Sequence, residues 1–342
     1  MSNINILGIE SSCDDTSAAV IQNGVLKSNL IANQKIHEKY GGVIPEIASR
    51  EHQKNIIPVV DQAIKEADIK KEDLSAVAFT QGPGLKGSLL VGNSFAKGLS
   101  LGLKIPLIQV NHIHGHILSS FIIEKEKETI PNFPFICLVV SGGHTQFFYV
   151  KNYFKIELIG TTLDDAAGET YDKAAKMLGL EYPGGPIIDN LAKKGNCNKF
   201  KFTTPNVKNF DFSFSGIKTN ILYFINKEKK QNKNFVDENI HDLCSSIQET
   251  INKYLIMKLE KAMKEYKTNE VCVTGGVAAN SNLRSHLKRI CETNKYKLHL
   301  PPIKFCTDNA AMIANIGYHK FLNKKFTNQE TKAKSRQSIQ EI

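Results

Sequence analysis

The sequence predicts an α/β fold in which one β-β-β-α-β-α-β-α unit occurs twice, giving two lobes that face each other across a cleft. Two apolar runs flank a short polar turn in INILGI-ESSCDDT-SAAVIQ, and the pattern returns in FPFICLVV-SGGHTQ-FFYV. In each half a later strand runs into a glycine-containing loop, as VAFT-QGPGLKGS and EVCVT-GGVAANSNL. Ser12 and Thr16 correspond to Ser141 and Thr145 at a constant offset. Because these features occur in the same order in both halves of the chain, we infer that one unit was duplicated.

The first copy gives each predicted element in turn. After the opening hairpin, GVLKSNLI predicts a third strand. A helix is predicted over 45–67, because Pro45 stands near its start and apolar residues follow at helical spacing. LSAVAFT predicts a strand, LLVGNSFAKGLSLGL a helix, PLIQV a strand and NHIHGHILSSFIIE a helix.

The second copy follows the same order with an insertion. FKIELIG predicts its third strand, a more helical stretch occupies about 164–265, and EVCVT and KLHLP predict the remaining strands before the helix DNAAMIANIGYHKFL. We therefore expect an N-terminal lobe over 1–125, a C-terminal lobe over 126–305, and a C-terminal helix over 306–325 at the lobe interface. Ligands should bind beyond the carboxyl ends of the strands, where the loops SSCDDTS, QGPGLKGS, SGGHTQ and GGVAANS fall.

Composition favours a reduced compartment and a polyanionic partner. The chain has 44 Lys and Arg against 34 Asp and Glu, a net charge of +10, which suits nucleic acid. Codon bias and solvated runs such as KEKKQNKN explain the excess equally well. Seven scattered cysteines without a C-x-x-C pair indicate free thiols in the cytoplasm. We expect no export signal and no membrane span.

The stretch VNHIHGHIL raises the question of a metal site. On a helix His112 and His116 would share a face and His114 would point elsewhere, whereas on a strand all three would share one face. Two ligands do not make a site, but the corresponding helix of the second copy begins at Asp308. If the two helix starts meet, they form a three-ligand site with open positions. The alternative role for Asp308 is a helix N-cap.

Two loops at strand ends are candidates for substrate binding or proton transfer. Ser141, Gly142 and Gly143 follow a strand, and their amides could cradle phosphate, although a plain hairpin turn has the same sequence. Asp14 and Asp15 hold the equivalent place in the first copy, where they could act on a nucleophile's proton or simply form the turn.

Further candidates lie in the insertion and beyond it. Asp172, near a helix start, could take ribose hydroxyls or could be a favourable charge at a helix N-terminus. Gly184 and Gly185 in YPGGP would let a flat ligand approach the backbone. TGGVAANS is similar to the nucleotide-binding loops of actin-like proteins and places Asn280 at the base of a helix.

Together these motifs resemble those of the TsaD family of bacterial proteins, in order from about residue 4 to about 320. The motifs are GIESSCDDTS, YGGVIPEIASREH, GPGLKGSLLVG, NHIHGH, VVSGGHTQ, DDAAGETYDKAAKMLGL, YPGGP, FSFSGIKT, TGGVAAN and FCTDNAAMIA. The resemblance implies a duplicated actin-like (ASKHA, RNase H-like) fold. It implies transfer of the threonylcarbamoyl group from threonylcarbamoyl-adenylate to N6 of adenosine 37 in tRNAs that read codons starting with A, with release of AMP.

The resemblance also implies site residues and partners. The metal, usually Fe²⁺ and alternatively Zn²⁺, would be held by His112, His116 and Asp308. The partners would be tRNA, a TsaB-like paralogue and a TsaE-like ATPase, in the cytoplasm. Substrate contacts would fall on Val139, Val140, Ser141, Gly142, Gly143, Asp172, Gly185, Asp189 and Asn280.

Three other functions remain open, and the sequence departs from the family in two places. His114 stands where many bacterial relatives have Glu, which argues against its being a ligand. The tail KSRQSIQEI lacks the common tryptophan-proline ending.

A zinc protease would need the Glu of H-E-x-x-H, which H-I-H-G-H lacks. An actin-like sugar kinase or ATPase would not require the two histidines, and a non-catalytic tRNA-binding scaffold is the third alternative.

Overall fold

The computed structural model describes residues 3–125 and 129–339. The chain forms two compact units: unit 1, residues 1–130 with 307–342, and unit 2, residues 131–306. We predicted the first boundary between residues 125 and 126, beside residues 126–128, which lie outside the described part of the chain. The predicted boundary at 305 falls one residue before the observed division at 306.

Each unit is built on one five-stranded sheet. The elements of unit 1 are β1 (Asn5–Glu10), β2 (Asp15–Gln22), β3 (Val25–Asn33), α1 (Pro45–Glu66), β4 (Ala76–Gly82), α2 (Lys86–Leu103), β5 (Leu107–Asn111) and α3 (His112–Ile117). Those of unit 2 are β6 (Phe135–Val140), β7 (Thr145–Asn152), β8 (Lys155–Thr161), α4 (Ala167–Met177), α5 (Gly184–Ala192), α6 (Ser215–Gln231), α7 (Phe235–Tyr266), β9 (Glu270–Thr274), α8 (Ser281–Asn294) and β10 (Lys297–His299). Helix α9 (Ala310–Leu322) returns the chain to unit 1.

The two sheets have one topology, so the predicted duplication is confirmed. Their strand orders are β3-β2-β1-β4-β5 and β8-β7-β6-β9-β10. In both, the first three strands are antiparallel neighbours and the last two pair in parallel. The central strands β1 and β6 are buried at every position, which explains their mainly apolar sequences.

Helix α9 packs closely on the sheet of unit 1. A Cβ on Gly8 of β1 would lie 2.5 Å from the backbone nitrogen of Ala314, and a Cβ on Gly317 would lie 2.5 Å from the Cβ of Ala78. These glycines therefore allow the helix and the sheet to approach. The α9 N-terminus is held as well, since the amide of Ala310 donates to Ser17 Oγ at 2.7 Å. The position of the residues just before α9 is thus set by unit 1.

Two predicted elements are shorter than the sequence pattern suggested. The helix predicted from NHIHGHILSSFIIE ends at Ile117, and a 3-10 turn covers Ser119–Phe121. The side chain of Ser119 bonds to the carbonyl of His116 and competes with continued helix. The strand KLHLP ends at His299, because Pro301 and Pro302 follow and cannot donate to a ladder. No helix in the described ranges has both the length and the apolar character of a membrane span.

Candidate functional site

Three side chains converge within unit 1 as a candidate metal centre. His112 and His116 stand one turn apart on α3, with ring centroids 4.7 Å apart. Their Nε2 atoms lie 3.4 Å and 3.0 Å from Oδ1 of Asp308. One donor atom from each residue falls within 4.8 Å of the others. The histidines are buried and Asp308 is partly exposed, at 27% of its side chain. The cluster therefore has an open side.

The local sequence explains why Asp308 is available. The N-cap of α9 is Asn309, whose side chain accepts from the amide of Met312 at 3.2 Å. The capping alternative for Asp308 is therefore wrong, and its carboxylate faces the histidines instead. The close packing of α9 on β1 places Asp308 in the same unit as α3, so the three donors come together inside unit 1.

His114 lies outside this cluster. Its side chain is fully buried, and it does not belong to the group of donors formed by the other two histidines. This is the outcome expected for a helix, where positions i and i+4 share a face and i+2 does not. The helix itself starts sharply, because Asn111 caps it by accepting from the amide of His114 at 3.1 Å.

The electrostatics of the cluster favour a cation. Burial by itself lowers the pKa of His112, but Asp308 and Glu10 beside it raise that pKa well above its ordinary value. Burial would raise the pKa of Asp308, yet the two histidines hold it well below the ordinary range. Both shifts favour positive charge at this point, which is the charge that a bound cation would supply.

Sequence reasoning missed Glu10, the last residue of β1. Its carboxylate is fully buried and accepts from the amide of Ser12 at 2.5 Å and from Thr80 Oγ1 at 2.6 Å. The same carboxylate lies 3.0 Å from Nδ1 of His112. The signal available in the sequence was an acidic residue ending an otherwise apolar strand, at a position where the second copy has valine.

Asp14 and Asp15 lie in the loop that leads from β1 to β2, and Asp15 begins β2. Asp15 accepts from Asn33 Nδ2 at 2.7 Å. Burial is the main cause that raises the pKa of Asp15 to about 7, with Asp14 and Asp308 adding to it. His52 of α1 fixes this loop, since its ring nitrogens contact Thr16 Oγ1 and the carbonyl of Cys13 at 2.7 and 3.0 Å. A carboxyl with this pKa suits general base chemistry near neutral pH.

The predicted phosphate loop of unit 2 is open toward solvent. Gly142 and Gly143 are exposed, and a Cβ built on either would meet nothing within 4 Å. The loop is a hairpin turn in which the amide of Ser141 donates to the carbonyl of His144 at 2.8 Å. The side chains of Val139 and Val140 are fully buried, so only their backbone is available to a ligand.

Two neighbouring glycines bring other loops of unit 2 against this turn. A Cβ on Gly168, at the start of α4, would lie 2.7 Å from the carbonyl oxygen of Ser141. A Cβ on Gly275, after β9, would lie 2.4 Å from the carbonyl oxygen of Val140, and this residue has φ +94°. The start of α4 and the loop after β9 therefore pack closely beneath the loop after β6, whose exposed backbone is at Gly142 and Gly143.

The remaining predicted substrate residues carry structural bonds. Asp172 accepts from the amide of Gly184 at 2.8 Å and also from that of Gly185, at the N-terminus of α5. Burial nevertheless raises the pKa of Asp172. Asp189 accepts from the amide and the hydroxyl of Ser281 at 3.1 and 2.8 Å. These two carboxylates tie α5 to its neighbours, α4 and the start of α8.

Asn280 is the N-cap of α8 and the centre of an amide network. Its Oδ1 accepts from the amide of Leu283 at 2.9 Å and from Asn252 Nδ2 at 3.0 Å. Its Nδ2 donates to Gln248 Oε1 at 2.6 Å. Among the residues described, no further partner takes the second hydrogen on this nitrogen, and the residue is 9% exposed.

The donor set of unit 1 fits a divalent transition metal. Two imidazoles and one carboxylate with an open side match the ligand sets of catalytic Zn²⁺ and of non-haem Fe²⁺. The Nε2 atoms of both histidines already face the same carboxylate oxygen, so the three donors need little rearrangement to bind one ion.

Comparisons with known proteins agree on one family. A sequence profile of the family TsaD, described as tRNA N6-adenosine threonylcarbamoyltransferase, matches residues 24–315. The chain is 55% identical over 333 residues to the tRNA N6-adenosine threonylcarbamoyltransferase of Christiangramia forsetii, covering 97% of this chain and 98% of that protein. It is 52% identical over 335 residues to the protein of the same name from Phocaeicola vulgatus, covering 98% and 99%.

Solved structures with low sequence identity share the fold. The T. kodakarensis HypF structure matches with a TM-score of 0.62 at 15% identity, covering 96% of this chain and 49% of that one. The component A of Acidaminococcus fermentans (R)-2-hydroxyglutaryl-CoA dehydratase matches with a TM-score of 0.53 at 16% identity, covering 93% and 98%. These similarities show the fold, so the predicted fold class is confirmed. By its sequence profile and its near full-length relatives, the chain belongs to the TsaD family of tRNA N6-adenosine threonylcarbamoyltransferases.

Proposed function

We propose that this protein transfers the threonylcarbamoyl group from threonylcarbamoyl-adenylate to N6 of adenosine 37, in tRNAs that read codons starting with A. The observation that carries the metal-dependent form of this proposal is the convergence of His112, His116 and Asp308 on one point. Family membership supports the transferase class. The net charge of +10 is compatible with a tRNA substrate, which would place the reaction in the cytoplasm.

The reaction is an acyl transfer. The N6 amine attacks the carbamoyl carbonyl, a C–N bond forms, the bond from that carbon to the phosphate oxygen breaks, and AMP leaves with the electron pair. One proton must leave the amine. Asp15, whose pKa is raised to about 7, is our candidate to take it, and Asp14 is the alternative.

Unit 2 would hold the adenylate. The exposed amides of Gly142 and Gly143 suit phosphate oxygens, because amides in a glycine-rich turn can approach an anion closely. The Asp172 carboxylate and the backbone at Gly185 would receive the ribose, and the remaining N–H of Asn280 would donate to the nucleoside. Asp189 would act by fixing the start of α8.

His112, His116 and Asp308 would hold the metal, for which we propose Fe²⁺, with Zn²⁺ as the alternative. When bound, a divalent metal supplies Lewis acidity that polarises a carbonyl or holds phosphate and carboxylate oxygens. The chain itself fixes the two imidazole rings on one turn of α3. It holds Asp308 beside them because α9 packs closely on β1.

Two protein partners are part of the proposal, a TsaB-like paralogue and a TsaE-like ATPase. The exposed side of α2 supports a protein partner. It carries Leu90 and Leu101, exposed at 48% and 61%, beside the open surface at Gly98 and Gly102. An apolar helix face with small residues is typical of a protein contact. Co-purification with either candidate, compared between wild type and Leu101→Asp, tests this part separately.

The central experiment uses purified protein with tRNA, threonylcarbamoyl-adenylate and a chelator. AMP release and modified tRNA should appear together, stop on chelation, and return when Fe²⁺ or Zn²⁺ is added back. A tRNA with guanosine in place of adenosine 37 should remain unmodified. Turnover that chelation does not change would refute the metal dependence. Casein cleavage would favour a protease, and sugar phosphorylation would favour an actin-like sugar kinase.

A further inference from the structure

A buried carboxylate in unit 1 is unexplained by the fold. Glu10 is fully buried at the end of β1, and a buried charge is costly unless it is fully hydrogen-bonded. The last two residues of β6, the corresponding strand of unit 2, are Val139 and Val140, and both are fully buried. The same sheet is therefore built without a carboxylate there, so the topology does not require one.

The partners of Glu10 point to the metal centre. Its Oε1 accepts from the amide of Ser12, and its Oε2 accepts from Thr80 Oγ1 and lies 3.0 Å from Nδ1 of His112. An ionised carboxylate can only accept hydrogen bonds, so Nδ1 of His112 must carry a hydrogen. The other nitrogen, Nε2, then faces Asp308 at 3.4 Å and is the one left to bind a metal.

The second histidine of the cluster lacks such support. Nδ1 of His116 is buried and has no hydrogen-bond partner among the residues described. Of the two predicted imidazole ligands, therefore, only His112 has a carboxylate on Nδ1 among the residues described, whereas the ring of His116 is held through Nε2 by Asp308 alone.

We propose that Glu10 is a positioning residue of the metal centre, which holds His112 in the tautomer that presents Nε2 to the metal. This inference rests on the metal dependence in the proposed function. Ligand histidines with a carboxylate on the second nitrogen bind metal more tightly, and loss of such a partner typically weakens affinity by about 10- to 100-fold.

The substitution Glu10→Gln tests the inference sharply, because it keeps the shape of the side chain. The amide of Ser12, at 2.5 Å, requires an acceptor, so the glutamine oxygen should take that place. The glutamine NH₂ would then face Nδ1 of His112, which must become an acceptor. The hydrogen moves to Nε2, and the metal loses its ligand atom.

The measurement is titration of the whole protein with Co²⁺, followed by its visible spectrum, beside NMR proton–nitrogen correlations of the histidine rings. We expect Glu10→Gln to bind Co²⁺ about 10- to 100-fold more weakly and to shift the His112 tautomer. Thr80→Val is the matched control: it removes the other side-chain partner of Glu10 and should leave both readouts unchanged. Ser12→Ala should do the same, although Ser12 Oγ lies 3.1 Å from Nδ1.

The outcomes separate this inference from the metal proposal itself. Equal Co²⁺ affinity and an unchanged tautomer in Glu10→Gln would overturn it, and so would a loss confined to Ser12→Ala. If wild type and His112→Ala bind Co²⁺ equally poorly, the metal proposal fails, and the tautomer measurement still decides the role of Glu10. If Glu10→Gln does not fold, metal coordinated through Nε2 of His112 in the wild type supports the inference, and coordination through Nδ1 refutes it.

Discussion

Units 1 and 2 place different kinds of groups at the ends of two sheets that have the same topology. In unit 1, the end of the first strand and its loop carry the carboxylates Glu10, Asp14 and Asp15, and α3, the helix after β5, carries His112 and His116. In unit 2, the end of β6 carries valines and its loop carries Gly142 and Gly143. One copy presents charged side chains suited to a cation, and the other presents bare backbone suited to an anion. After duplication, the strands kept their packing while the loops at their ends diverged.

The largest effect should come from removing a ligand in unit 1. His112→Ala or Asp308→Ala should abolish Co²⁺ binding and lower the transfer rate by at least about 100-fold, because two donors do not hold a catalytic metal. Metal content and AMP release measure this. His319→Ala, on α9 but outside the cluster, is the control and should bind metal normally. Full metal content in both ligand variants would contradict the contrast between the units, because His112 and Asp308 would then not form a cation site in unit 1.

Asp15→Asn should have the next largest effect. If Asp15 takes the amine proton, only its ionised form is active, so the wild-type rate should rise with pH through about 7. The variant should lose that rise and be slower by about 100-fold or more. Rates measured from about pH 5.5 to about pH 8.5, on either side of that pKa, reveal both effects. Asp14→Asn is the matched variant in the same loop. Wild-type rates in both variants would exclude the carboxylates as bases.

The same substitution has a consequence for stability whose sign follows from the raised pKa. Folded Asp15 keeps its proton up to about pH 7, whereas the unfolded chain loses it near the ordinary Asp value of about 4. The folded state therefore binds more protons between these values, and its stability falls as pH rises through them. Asp15→Asn should be more stable than wild type above pH 7, by on the order of 1–2 kcal/mol. Urea unfolding at two pH values measures the difference, and equal unfolding midpoints at the higher pH would contradict it.

Glycine substitutions in unit 2 should separate ligand contact from packing. The methyl groups added by Gly142→Ala and Gly143→Ala would meet no protein atoms within 4 Å, so the stability of the protein should change little. The same methyl groups would face the adenylate and should raise its KM by roughly 10-fold. Gly168→Ala and Gly275→Ala would press on carbonyl oxygens of the same loop and should lose about 1–3 kcal/mol of stability. Thermal unfolding and KM measure these effects. Co²⁺ binding should be normal in all four, because the metal centre belongs to unit 1.

The sequence predicted the strands, the duplication and the meeting of His112, His116 and Asp308, because hydrophobic periodicity and the repeat are local or ordered signals. It did not predict the role of Glu10: the acid at the end of β1 is visible in the sequence, but its partners Thr80 and His112 are distant in sequence. Nor did it predict that Asn309 caps α9, because Asp308 and Asn309 are both good capping residues and only the packing of α9 decides between them. Contacts between distant residues determine both features.

The smallest effects on stability and KM are expected from substitutions of Asn280. They test whether unit 2 also uses a side chain to bind its ligand. Asn280→Ala removes the cap of α8 and should cost about 1 kcal/mol, whether or not the residue touches substrate. Asn280→Asp keeps an acceptor for the amide of Leu283 and for Asn252, so it keeps the cap. It no longer donates to Gln248, whose side-chain amide must turn to donate to the new carboxylate if the network is to hold. It loses the N–H that would reach the nucleoside and adds a negative charge, so KM for the adenylate should rise several-fold, by roughly 1 kcal/mol of binding. A stable Asn280→Asp protein with an unchanged KM would show that Asn280 acts only as a cap, and the recognition surface of unit 2 would then rest on its glycines and carboxylates.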